Sequence, residues 1–368
     1  AWLAAAFVLR VAIGLALNLD PDGRVRGFQF YGEMADGLLS GKGMGWEFYR
    51  SLGYKLANRP PLYPLLLAGI RAVSGDAHGP VTVVVQSALG ALGCLAPAWL
   101  GTRWGGPRAG RLALALAALW PYALVTDSSL VEHVLFAPLT VMALATVLRA
   151  RDAAAPLRSL AAGVTCGVAA LARVTFGLAL PLLALTLVVR RRGVLRAALL
   201  TLAVALTLTP WVLRNHAAVG AWTVGTDGGR ALWLSNAVGT FDHYPERSID
   251  ETEFALLDGL SAERRAELRA LSHDEVAQDA VFRKLAVETI ASRKAATALG
   301  ALRKLGALWS PVYNPEPTRP GTTYHMKLVV HFVSYGLLLA AALAGVAAVP
   351  VVRADLVVVL ALVVGFVA

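Results

Sequence analysis

The chain sets charged side chains where an apolar sequence tolerates them least. Glu132 follows Asp127 by five residues in "TDSSLVEHVLF", Arg173 stands between two apolar runs in "LAALARVTFG", and Arg214 closes "LTPWVLRN". Ionisable groups at membrane depth are costly and usually face a cavity or a partner. The alternative is that they snorkel to the interface, and for Arg214, at the end of a full apolar run, that alternative stands level. Arg59 directly precedes Pro60-Pro61 in "NRPPLYPLLLAGIRAVSG". A helix start offers free N–H groups and a positive dipole end, and arginine adds bidentate geometry, so this pattern suits a phosphate. Two further acids, Asp20 and Asp22, lie in "NLDPDGRVRG". Deprotonating a hydroxyl or an amide needs a positioned carboxylate, although Asp, Pro and Gly so arranged also make a turn. The histidines show no metal-ligand spacing, no acid pair stands at ligand spacing, and neither a GxGxxG fingerprint nor a nucleophile elbow is present.

The elements that must position these residues are membrane helices. Of the 368 residues, 57% are hydrophobic and 16% charged, and the mean hydropathy is +0.60. That excludes an ordinary soluble domain. A span needs about 20 apolar residues. Candidate spans follow a first apolar run, "AWLAAAFVLRVAIGLALN", at about 79–101, 110–125, 131–149, 158–173, 175–189, 195–213, 326–348 and 353–368, which makes about nine. The first run lacks a basic flank and a clear cleavage site and is read as a span. The chain starts at Ala1 and stops inside "DLVVVLALVVGFVA", so both ends are expected to be trimmed. Cys94 and Cys166 fall in apolar runs, which argues against a disulfide framework.

Arginines fix the expected topology. Arg103, Arg108 and Arg111, then Arg149, Arg151 and Arg158, then Arg190, Arg191, Arg192 and Arg196, and finally Arg353 occupy alternate connections. The positive-inside rule places those in the cytoplasm and accounts for the net charge of +10 without nucleic acid. The chain then divides into a transmembrane core at 1–213 with an external loop at 19–78, an extracytoplasmic segment at 214–325, and terminal spans at 326–368. For this count to close, 58–75 lies in the outer interface as an amphipathic helix started by its prolines. It is too short to span, and Arg71 at mid-membrane would cost about 2.5–3.5 kcal/mol. A second short helix precedes it, with Tyr31, Met34, Ala35, Leu38 and Leu39 on one face and Glu33 and Asp36 on the other. In 214–325, a loop with a turn at Asp227-Gly228-Gly229 is expected, then helix from about 250 to 308.

The segments "FYGEMADGLLSGKGMG", "RPPLYPLLLAG", "LWPYALVTDSSLVEHVLF", "GVAALARVTFGLALPLL", "LTPWVLRNHAAVG" and "TDGGRALWLSN", taken in this order over nearly all of 10–240, resemble the GT-C superfamily of polyprenyl-phosphate-sugar glycosyltransferases. The nearest group is the bacterial relatives of protein O-mannosyltransferases and of the lipid A aminoarabinose transferase. The tail "RKLGALWSP" fits as well. The resemblance implies an all-α polytopic membrane protein of GT-C type, with two juxtamembrane helices in the first external loop. It also implies an inverting transfer from a polyprenyl-phosphate-linked sugar in the membrane lipid to a glycan, lipid or protein acceptor, on the extracytoplasmic face of a bacterial inner membrane. No cofactor and no metal are expected.

The same resemblance implies roles for individual residues. Arg59 matches the family's basic residue before the proline pair, Arg173 a recurring arginine between spans, and Glu132 a recurring acid at a span start. Arg59, Arg173 and Arg214 are expected to hold the donor phosphate, and Tyr31, Tyr63 and Lys55 to line the substrate pocket. The chain departs from the family at its catalytic Asp, about four residues before the tyrosine matching Tyr31, where Gly27 stands. Asp22, Asp20 and Asp127 are the substitute candidates for the base, beside Glu132. A flippase of lipid-linked sugars and an inactive GT-C-like subunit are the competing readings.

Overall fold

The computed structural model describes residues 1–48, 52–152, 155–188, 193–240, 249–309, 322–349 and 355–360. The expected cytoplasmic arginines at 190–192 and 353, the end of "RKLGALWSP" and most of the run 353–368 lie outside the described residues. The helices are α1 (Trp2–Leu17), α2 (Phe30–Leu39), α3 (Leu62–Ser74), α4 (His78–Gly93), α5 (Leu95–Ala118), α6 (Pro121–Thr126), α7 (His133–Asp152), α8 (Pro156–Ala172), α9 (Leu180–Val188), α10 (Gly193–Val219), α11 (Gly228–Asn236), α12 (Ile249–Asp258), α13 (Ala262–Ala270), α14 (Glu275–Ser292), α15 (Lys294–Leu308) and α16 (Thr322–Ala348). Among the described residues, one antiparallel strand pair, β1 (Trp46–Phe48) and β2 (Gly53–Lys55), accompanies the helices.

Three runs among the described residues are long and apolar enough to cross a membrane: Leu62–Ala118, His133–Asp152 and Gly193–Val219. Four shorter apolar helices accompany them, Trp2–Leu17, Pro156–Ala172, Val174–Val188 and Val329–Gly345. The expected count of about nine spans is therefore not reproduced as nine full-length helices. The first long run is itself not one rod. Gly106 takes φ +77° ahead of Pro107, and the two halves of α5 fold onto each other, with Gly101 and Gly110 facing Ala109 and Thr102. The expected span at 110–125 also breaks. The helix stops at Ala118, Trp120 is extended, and Pro121, whose missing N–H costs nothing at a first helical position, restarts it as α6.

Small residues let the helices approach. Gly163 and Gly167, spaced as GxxxG on α8, lie against Leu200, Ala203 and Thr207 of α10, so close that a methyl group at either would collide. Leu144, Leu148, Cys166, Phe176, Leu183 and Leu200 fill the core between α7, α8, α9 and α10. At the far end of this bundle the expected basic connections converge. Asp355 accepts from Arg103 Nε at 2.8 Å and Trp104 Nε1 at 3.0 Å. Asp152 takes Arg103 Nη1 at 2.7 Å, and Arg196 donates to the carbonyls of Ala150 and Arg151.

The opposite end carries α2, α3, the hairpin and a helical lobe, α11 to α14. The short helix α2 buries Tyr31, Met34 and Ala35 as the sequence pattern requires, but Leu39 is exposed. The helix α3 begins after Pro60-Pro61, buries Tyr63, Leu67 and Ile70, and ends at Gly75 with φ +52°. The lobe shares one hydrophobic cluster with the segment 19–78, in which Met34, Trp46 and Phe48 join Trp233, Leu268 and Phe282. The expected turn at Asp227-Gly228-Gly229 is instead a helix start. Asp279 of α14 accepts from the N–H groups of Gly229 at 2.6 Å and Arg230 at 3.1 Å, capping α11 from outside its own sequence.

Candidate functional site

One backbone pairing and one side-chain relay bring the first segment to the connection between α6 and α7. Phe28 N–H donates to the Leu130 carbonyl at 2.9 Å and Leu130 N–H to the Arg26 carbonyl at 2.8 Å, pairing 26–28 with that connection. Below it, Tyr63 donates to Gln86 Oε1 at 2.6 Å while Gln86 Nε2 donates to the Ser129 carbonyl at 3.0 Å. Together they hold α2, α3 and α4 around the first residues of α7.

Glu132 sits at that junction. Tyr31 donates its hydroxyl to Glu132 Oε2 at 2.9 Å, and Tyr63 supports the Tyr31 ring edge-on, with centroids 4.8 Å apart. Arg173 reaches Glu132 from the end of α8, because residue 173 leaves the helix in an extended conformation. Its Nη1 lies 3.4 Å from Glu132 Oε1 and 2.9 Å from His133 Nε2, and its guanidinium lies over Phe136. The Glu132 side chain is 12% exposed and that of Arg173 41%, so the pair presents a positive face outward over a sheltered carboxylate. Burial alone would raise the Glu132 carboxyl. Arg173, His133 and the Tyr31 hydroxyl outweigh it and hold the group below its ordinary value. Burial, and Glu132 beside it, push the Tyr31 phenol far up, so it remains a donor.

Arg59 approaches Tyr31 from the other side. Its guanidinium covers Phe30 at 5.1 Å and lies 3.6 Å from Asp227 Oδ2. The Arg59 Nε is buried without a hydrogen-bond partner. Asp227 is shared: Asn58 Nδ2 donates to it at 3.0 Å and Arg230 Nε at 2.5 Å, while Arg230 also reaches Glu253 at 2.6 Å. Burial works against charge on Asp227, but Arg230 and Arg59 hold its carboxyl below the ordinary value. The helix start behind Arg59 is a weaker donor than the sequence suggests. Pro61 is the cap and Pro64 the third helical residue, so of the first turn only Leu62 and Tyr63 carry free N–H groups.

The remaining expected site residues are placed elsewhere. Asp20 is spent on a turn, its Oδ1 accepting from Arg24 N–H at 2.7 Å across the Leu19–Val25 bridge. Asp22 is exposed at the tip of that turn. Asp127 is inside the bundle, bound to the fully buried Arg10 at 2.8 Å and facing an apolar cavity of about 340 Å³. Arg214 is a clamp: it donates to the carbonyls of Leu56 at 2.6 Å and Met44 at 3.3 Å and stacks over Trp211. Lys55 is buried against the lobe, donating to the Leu52 carbonyl and to Gln278 Oε1 at 2.6 Å. The structure thus unites Glu132, Arg173, Tyr31, Tyr63 and Arg59, engages Asp20, Asp127, Arg214 and Lys55 elsewhere, and leaves Asp22 exposed. His133, Asn58 and Asp227 join the site unannounced. His133 and Asn58 are sequence neighbours of Glu132 and Arg59, the one hint available.

Gly27, where the family motif carries its acid, is not a simple exchange. It takes φ +132°, and a Cβ there would stand 2.7 Å from both the backbone N and O of Leu130. The backbone itself is incompatible with a side chain at this position.

An apolar groove of about 770 Å³ runs along α7 from Val134, two residues on from Glu132, and none of the site residues lines it. It starts at Leu62 and Val134, passes Leu89, Pro138 and Met142, and ends at Arg149. From Val134 to Arg149 the helix rises about 22 Å. Among the described residues no group of three or more His, Cys, Asp or Glu side chains converges as metal ligands would.

No family model matches the chain, and no curated protein matches it. Among solved structures it is similar to the Archaeoglobus fulgidus oligosaccharyltransferase, crystallised with zinc and sulfate, at 15% identity and a TM-score of 0.42. The match covers 91% of this chain and 53% of that one, so the chain spans about half the length of that protein, and the likeness is too slight to assign fold or activity.

Proposed function

We propose that the protein is a membrane glycosyltransferase of GT-C type that moves a sugar, with inversion, from a polyprenyl-phosphate donor to an acceptor on the extracytoplasmic face. The observation that carries this reading is the meeting of Glu132, Tyr31 and Arg173 with Arg59, with Glu132 two residues in sequence from Val134, where the long apolar groove begins. The prenyl chain would lie in the groove along α7. Arg59 and Arg173 would face the donor phosphate, and both are partly open to it. The acceptor hydroxyl or amine would attack the anomeric carbon, forming one C–O or C–N bond as the bond to the phosphate oxygen breaks. The electron pair leaves with the lipid phosphate, where the guanidiniums stabilise it. Glu132, kept ionised, is the carboxylate best placed to orient the acceptor and receive its proton. Tyr31 fixes the rotamer of Glu132.

One observation favours a second reading. The backbone at Gly27 excludes the family's acid, as in a binding subunit that has lost catalysis. A panel of polyprenyl-phosphate sugars offered to the purified protein decides between them. Sugar release that disappears in Glu132→Gln supports the enzyme. Donor binding without release, or movement of intact donor across a vesicle, supports the subunit or the flippase.

A further inference from the structure

The helix α15 is amphipathic in a way the site does not use. Its face toward the lobe carries Thr297, Gly300 and Lys304, all half-buried. The opposite face carries Leu299, Leu302, Leu305 and, just beyond the helix, Trp309, with 52%, 65%, 39% and 44% of their surfaces exposed. This stripe recurs at three- and four-residue spacing, and Leu299 at its edge also lines a cleft with Asn236 and Thr289 of the lobe. Lys294 and Arg303 flank the stripe by helical spacing while Arg293 and Lys304 lie toward the lobe, and no acid stands between 293 and 309. Behind the stripe, Arg293 and Arg303 line a cleft of about 200 Å³ with Asn236, Thr289 and Thr297, and no carboxylate borders it. The next described element in the chain is α16, whose Val329–Gly345 segment is an apolar candidate for the bilayer.

We infer that α15 lies in the plane of the membrane surface and docks its leucine stripe on anionic phospholipid of the leaflet on the lobe's side. The charge selects this occupant. An apolar face meant for another protein or a second copy has no need of a segment with four cations and no acid, whereas an anionic bilayer attracts each cation near its surface by about 1 kcal/mol. The tryptophan at the helix end suits the headgroup level. Lys294 and Arg303, beside the stripe, are the cations nearest the lipid phosphates. Docking of this kind would hold the lobe, and with it Asp227 and Arg59, at a fixed height above the lipid. The inference does not depend on the reaction proposed above.

The test uses the full chain with a nitroxide attached at Leu302→Cys, at Leu305→Cys in a second preparation, and at the exposed control Ala266→Cys on α13. Both native cysteines are buried, so labelling selects the introduced thiol. Collision rates with oxygen and with a water-soluble nickel chelate are compared in nanodiscs of phosphatidylglycerol and of phosphatidylcholine. In phosphatidylglycerol, the oxygen-to-nickel ratio at 302 and 305 should exceed that at 266 several-fold. It should fall toward the control in phosphatidylcholine and in the variant carrying Arg293→Gln, Lys294→Gln, Arg303→Gln and Lys304→Gln. A ratio at 302 equal to the control in phosphatidylglycerol overturns the inference. So does protection from both probes, which would mean a protein occupant, and so does equal burial in both lipids, which would remove the role of charge.

Discussion

Tyr31 and Glu132 are 101 residues apart in the chain and 2.9 Å apart in the structure, phenol to carboxylate. The contact joins the first helix after α1 to the residue just before α7, and Arg173 closes on the same carboxylate from the end of α8. Glu132→Gln keeps the volume and the hydrogen bond but removes the charge. It should lower transfer by about 10²–10⁴-fold, the usual worth of a general base, with donor binding retained. Asp22→Asn, at an exposed turn tip, should leave transfer within a few-fold of wild type. The reverse pattern in a steady-state assay would move the base to Asp22.

The charge on Glu132 has a pH signature. Its carboxyl is lowered in the folded protein, so the unfolded chain takes up the proton first as pH falls. Its contribution to stability is therefore complete above the unfolded value and is lost as pH drops through the folded one. Arg173→Gln removes the strongest of the influences that lower it. The acid limbs of both melting temperature and rate should shift to higher pH in this variant, and Tyr31→Phe should do the same to a smaller degree. Melts and rates collected from neutral to acid pH would show the shift.

Gly27→Asp should not restore a missing catalytic acid. The positive φ and the Leu130 backbone contact make any side chain there unfavourable by about 1–3 kcal/mol. The expected result is a lower melting temperature and no gain in transfer. A gain would show that the segment 26–28 rearranges readily.

Arg10 and Asp127 form a pair that the bundle encloses, and Gly90 leaves the room for it: a Cβ at 90 would stand 2.5 Å from Asp127 Oδ2. Arg10→Met or Asp127→Leu alone strands a buried charge and should cost about 3–5 kcal/mol. The double variant should be more stable than either single one. Gly90→Val should mimic the single losses. Thermal unfolding in detergent, run as a double-mutant cycle, measures the coupling.

Arg214→Gln should weaken the attachment of the chain at Met44 and Leu56 to α10, lowering the melting temperature while leaving the donor KM close to wild type. Arg59→Ala should do the opposite, raising the donor KM with little change in melting. Equal effects on KM would return Arg214 to the phosphate site.

The sequence by itself determined the elements. Apolar runs, proline starts and glycine stops are local, so α1, α2, α3, α7, α8 and α10 lie close to where composition and periodicity place them, and Arg103, Arg151 and Arg196 of three basic connections come together. Glu132 and Arg173 stand out because a charge in an apolar setting needs a partner, Arg59 because it precedes a proline-started helix, and Tyr31 and Tyr63 only through the family resemblance. Only the tertiary structure decided which partner. Asp127 turned inward to Arg10, Arg214 to backbone carbonyls and Lys55 to Gln278, because each satisfies its polar group where the fold happens to offer an acceptor. The start of α11 was misread as a turn because its cap, Asp279, comes from another helix fifty residues away. Hydrogen bonds and ion pairs act over a few ångströms of space, and sequence separation does not measure that distance.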